Sequence, residues 1–179
     1  MIRRAAAAAI VLALALGMTT ACQPDPAPSA SGPIFANEEE AFAAAEETYR
    51  AYVDALNQVD LSDPETFEAV YAWTTGELNA SDRKGLTNYH ADGVTVSGKS
   101  EIVLLEPVLF DSPKDSVELA ACLDVSRVEV RDKNGASLVD PDRIDVQTLT
   151  VSVVPDAASE TGLLVTAIGP RESEPSCSQ

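Results

Sequence analysis

The sequence predicts an α+β domain whose N-terminal helices pack on a strongly curved antiparallel sheet. Three observations carry this reading. Between Asn37 and His90 apolar residues recur at intervals of three and four, the period of a helix buried on one side. After Gly93 the period becomes two, the period of strands. Within the longest two-period run the phase slips near Ser126 and Arg127. Such a slip marks a bulge, which bends a strand and curves its sheet.

Residues 1–21 are read as a lipoprotein signal peptide. Arg3 and Arg4 form a positive start, and residues 5–16 are uncharged and apolar. Twelve residues rise only about 18 Å as a helix, too little for a hydrocarbon core of about 30 Å, so the segment addresses the chain and does not anchor it. Thr19, Thr20 and Ala21 lead into Cys22, which resembles the lipobox of bacterial lipoproteins, with Thr19 where an aliphatic residue is usual. The resemblance implies that Cys22 is the mature N-terminus and carries diacylglycerol and palmitate. The chain would then sit on the extracytoplasmic face of the cell membrane, held by lipid. Residues 22–36 follow as a tether: Pro24, Pro26, Pro28 and Pro33 stand among small residues that cannot bury a core.

The domain occupies residues 37–179. Asn37 can cap the first helix with Glu40 at the capping-box position, and Glu38, Glu39 and Glu40 meet the positive end of the helix dipole. Phe42, Ala45, Tyr49, Tyr52, Val53, Leu56 and Val59 form its inner stripe. Asp63 caps a second helix with Pro64 in its first turn; Phe67, Val70, Tyr71 and Trp73 face inward, and Gly76 ends it. A third runs from Glu77 to His90 against the propensities of Ser81, Gly85 and Asn88. Strands are expected over residues 94–96, 101–110, 116–131, 144–154 and 163–168, separated by turns such as Ser112-Pro113 and Asn134-Gly135. In the third, Val117, Leu119, Ala121, Leu123 and Val125 share one face. Cys122 then lies on the other face beside Glu118 and Asp124.

The net charge is −17 and becomes −19 once Arg3 and Arg4 leave with the leader. Such a field repels phosphate backbones, so no nucleic-acid partner is expected, and the bond to the membrane is left to the lipid. Solubility alone also explains the charge. With Cys22 acylated, Cys122 and Cys177 remain, and an even pair in an exported chain reads as a disulfide. The single histidine and two distant thiols give no metal-ligand spacing.

Residues 120–138, AACLDVSRVEVRDKNGASL, and 162–177, GLLVTAIGPRESEPSC, resemble the uncharacterised lipoproteins of high-GC Gram-positive bacteria that carry the cone-like nuclear transport factor 2 (SnoaL-like) fold. That fold is shared with ketosteroid isomerases and polyketide cyclase-like proteins. Members often carry a tryptophan in the last strand, where this chain has Leu163 and Leu164. The resemblance covers the mature chain and brings no catalytic motif and no cofactor.

Enzymes of this fold use a buried carboxylate or histidine between helices and sheet. His90 falls at a helix end, where solvent is near and the dipole favours a cation. Arg127 and Glu129 would line the cavity only if the bulge were absent. Tyr49, Trp73 and Tyr89, with Tyr52, could form an aromatic pocket, although stripe positions equally serve the core. Asp140, Asp142 and Asp145 read as a solvated turn more readily than a Ca²⁺ loop, which would need spaced ligands and a glycine. The expectation is therefore a non-enzymatic envelope lipoprotein that binds a small apolar ligand or another envelope protein. The alternative is a small isomerase or cyclase-like enzyme working in the cone.

Overall fold

The computed structural model describes residues 34–177, so the leader, Cys22 and most of the tether lie outside the described residues. α1 (Glu38–Leu56) is followed by a 3₁₀ turn (Pro64–Phe67) running into α2 (Glu68–Tyr71), then α3 (Gly76–Asp92). The strands are β1 (Thr95–Ser97), β2 (Glu101–Asp111), β3 (Ser116–Asp124), β4 (Glu129–Arg131), β5 (Val146–Pro155) and β6 (Leu163–Pro170). They form an antiparallel four-stranded sheet in the order β2-β3-β5-β6 and a separate ribbon, β1-β4. Helices followed by an antiparallel sheet is the α+β order the sequence predicts.

α1 starts where its capping box requires. Asn37 Oδ1 accepts the Glu40 amide at 2.9 Å, and Glu40 Oε2 accepts the Ala36 amide at 2.9 Å. Its buried stripe, including Ala41, Ala45, Tyr49, Tyr52 and Val53, packs on the sheet face that carries Val117, Leu119, Ala121, Val151 and Val153. The helix ends at Leu56, which is 37 % exposed, and Val59 falls in the turn beyond. Phe35, read as tether, is only 8 % exposed and joins the core beside the turn at Gly162. An aromatic side chain adjacent to a core finds cover whatever the proline content upstream.

The second helix is shorter than expected, and Gly76 does not end it. After Tyr71 the chain turns out to meet β6: the Val165 amide donates to Trp73 O at 3.0 Å, and the Thr75 amide donates to Val165 O at 2.9 Å. These bonds form a single parallel bridge to β6 at Val165 and satisfy backbone groups that leave the helix there. Gly76, at φ +60°, instead opens α3. The opposite edge, β2, is interrupted by two register shifts and by Pro107.

The slip near Ser126 is more than a bulge. β3 stops at Asp124, whose Oδ1 accepts the Ser126 amide at 2.8 Å, and the Val128 amide closes a turn on Val125 O at 2.9 Å. Arg143 Nη2 donates to both Val125 O and Val128 O, at 2.7 and 3.0 Å. The chain then leaves the main sheet, and residues 129–131 pair with β1. Gly98, at φ +82°, lets the β1–β2 connection touch this turn; a Cβ there would stand 1.9 Å from Arg127 O.

Cys122 and Cys177 are joined by a disulfide. Cys122 is 2 % exposed on the face opposite the helices, and the C-terminal segment covers it after Arg171 hydrogen-bonds Thr148 O and Leu149 O. Native chain should therefore show no titratable thiol at Cys122 or Cys177. Cys177→Ser, which opens a loop of 55 residues, should lower stability by about 4 kcal/mol in the chain-entropy account, read by urea denaturation with and without reductant. Equal stability of the oxidised parent and the variant would contradict it.

Candidate functional site

The space between helices and sheet is occupied by side chains. Tyr49, Val70, Leu119, Val151, Val153, Leu163 and Val165 are each fully or almost fully buried there. Tyr49 lies against Tyr52, ring centroids 6.3 Å apart, and its hydroxyl has no hydrogen-bond partner among the described residues. Burial pushes that phenol up to about 12. Trp73 is half-buried beside the β6 edge, and Tyr89 is 43 % exposed. The three tyrosine and tryptophan positions expected to share an aromatic pocket are thus divided among sealed core, sheet edge and surface. A fully covered Tyr49 offers no face to a ligand.

Not every carboxylate lies on a turn or a fully exposed face. Asp82 on α3 is half-buried, and the Tyr52 hydroxyl of α1 lies 3.4 Å from each of its carboxylate oxygens. Loss of hydration is the larger influence and pushes Asp82 up to about 6; the long contacts to Tyr52 return little of it. Sequence reading missed this residue because Ser81, Arg83 and Lys84 surround it with polar neighbours. The usable signal was its spacing from Leu78 and Leu86, four residues to either side on one helix face.

Arg127 pairs with Glu101 and Glu129 with Arg131, all four exposed side chains and none on the helix-covered face. Asp140 Oδ1 accepts the Asp142 amide at 2.9 Å and its carbonyl accepts the Arg143 amide at 3.0 Å, which makes this cluster a turn. Among the described residues no group of histidine, cysteine and carboxylate side chains is arranged to hold a metal.

His90 is exposed, as its helix-end position predicts, but it has a fixed orientation. Its Nδ1 lies 2.7 Å from Leu61 O, and its ring meets Phe67 edge-on at 6.3 Å between centroids. A carbonyl can only accept, so Nδ1 carries the proton and donates. His90 forms one wall of a surface cleft of about 550 Å³ bounded by residues 59–62 and residues 93–96. Leu61 and Val94, 7 % and 6 % exposed, make an apolar floor. Asp60 stands at the rim, its Oδ1 accepting both the amide and the hydroxyl of Ser62, at 2.8 and 2.7 Å. Those bonds hold its carboxyl below the usual carboxylate range.

No protein-family model and no curated protein matches the chain. Several solved structures are similar in outline. One is a protein of Novosphingobium aromaticivorans provisionally classed as an aromatic ring hydroxylase, at a TM-score of 0.48 and 14% identity, over 75% of this chain and 96% of that one. VirB8 of Agrobacterium tumefaciens gives 0.41 and 12%, over 75% and 94%. A de novo designed β-sheet protein gives 0.31 and 11%, over 74% and 88%. At these values the likeness is one of outline, and the architecture stands on the chain's own elements.

Asp82 yields a pH test. Folding raises its pKa from 3.8 to about 6, so the fold favours the neutral carboxyl. The corresponding stability is complete below about pH 4 and is lost as pH rises through about 6. Asp82→Asn, neutral throughout, should therefore melt above the parent at pH 8 and match it at pH 4, measured by paired thermal scans. A constant gap across that range would remove Asp82 as the cause.

Proposed function

We propose that this chain is a cell-envelope lipoprotein that presents its α+β domain outside the membrane as a non-enzymatic binding module for a protein or a small ligand. The observation that carries the reading is the leader ending in Cys22: a short charged start, an apolar run too short to span, and small residues before a cysteine. The Cys122–Cys177 disulfide supports export, because such bonds persist in oxidising compartments. The side-chain-filled interior supports binding at the surface over chemistry in a cone. In a bacterial host, the chain should incorporate labelled palmitate and fractionate with membranes, and Cys22→Ser should abolish both. A mature chain that begins at another residue and carries no lipid would sink this reading.

The isomerase or cyclase-like alternative has one observation in its favour, the Tyr52–Asp82 pair, since a carboxyl of raised pKa next to a phenol is suited to proton transfer near neutral pH. Turnover of a ketosteroid-type substrate that Asp82→Asn abolishes while the chain stays folded would select the enzyme. Absence of turnover by the parent selects the binding module.

A further inference from the structure

We propose that the cleft between β1 and the turn at residues 59–62 is a docking groove for an extended, cationic segment of another protein, laid as an added strand along the free edge of β1. This extends the binding-module half of the proposed function and is independent of the lipid: failure of palmitate labelling would remove the anchor and leave the groove untouched.

Three features of the cleft converge on that occupant. The first is backbone. Among the described residues β1 pairs with β4 alone, and the consecutive residues Val94, Thr95 and Val96 line the cleft, with the Val94 amide already donated to Tyr89 O. An unpaired strand edge beside a groove is the arrangement that strand addition uses, with main-chain hydrogen bonds for affinity and pockets for alternate side chains. The groove supplies the pocket: Leu61 and Val94 line its floor, and Val96, 46 % exposed, stands at its margin.

The second feature is the polar inventory. The Ser62 hydroxyl is spent on Asp60 and the His90 Nδ1–H on Leu61 O. What remains is the second carboxylate oxygen of Asp60, a charged acceptor in the wall of the cleft. A ligand that satisfies it brings a donor, and an ammonium or guanidinium group does so with the charge that Asp60 requires.

The third is placement. Ile34, whose amide points to Asp115 Oδ2 at 3.4 Å, enters at the end of the domain that holds the β2–β3 turn. α1 then runs 19 residues, about 28 Å, before the chain reaches the cleft. The groove therefore opens at the end remote from Ile34. A second copy of this chain is a poor occupant, because a molecule of net charge −17 brings little cation to the Asp60 carboxylate.

The test uses the full chain and a capped hexapeptide of alternating lysine and valine, followed by amide NMR shifts during titration. Saturable binding with shifts confined to residues 59–62, 90 and 93–97 is expected. Asp60→Asn, which keeps an acceptor for Ser62 and drops the charge, should weaken binding about tenfold, as should N-methylation of alternate peptide amides. Glu106→Gln, on β2, should change it less than twofold. Spermine, a cation without a peptide backbone, should not reproduce the shifts. Absence of saturable binding, shifts centred elsewhere, or binding that spermine matches and N-methylation spares would overturn the proposal.

Discussion

The structure depends on β3 being covered on both faces. One face gives Val117, Leu119 and Ala121 to the helices; the other gives Ala120 and Cys122, at 0 % and 2 % exposure. A strand buried on both sides must find two layers of cover, and this chain supplies them from opposite ends. α1 is drawn over the first face by its apolar stripe. The C-terminal segment is held over the second by the disulfide and by the Arg171 contacts to β5 backbone carbonyls. Arg171 is 8 % exposed, and its Nε and Nη1 donate to the Leu149 and Ser173 carbonyls, so its side chain holds the tail through main-chain acceptors.

What the sequence disclosed was periodicity and chemistry close along the chain. The capping box at Asn37, the Asp63–Pro64 start and the turn at Asn134-Gly135 act over a few residues, and the structure has all three. The facing of β3 was legible because alternation leaves only one solution. Even the one apparent irregularity, the slip near Ser126, lay at the right place. Its size was hidden, since a one-residue bulge and a change of sheet begin with the same loss of phase. The difference is made by Arg143, fifteen residues downstream of Val128, bridging two carbonyls of the turn.

The candidate sites were the least legible part. The cleft is assembled from residues 59–62 and 93–96, each of which reads by itself as ordinary turn or strand end. Their meeting depends on α3 carrying His90 back to Leu61, a contact that periodicity does not encode. Asp82 was hidden for the opposite reason: its neighbours in sequence are polar, while its neighbour in space is Tyr52 from another helix. Trp73 shows the same limit, because the β6 edge took its backbone away from a helix that the sequence favoured.

The way the main sheet finishes at its two sides bears on crowding. Strand-by-strand growth of an assembly needs each unit to present two open sides, one to receive and one to offer. The segment at residues 73–75 meets the β6 side at Val165, and Pro107 with the two β2 irregularities interrupts the other. In a crowded layer such a sheet offers its neighbours a poorer template than two clean, unbroken sides would.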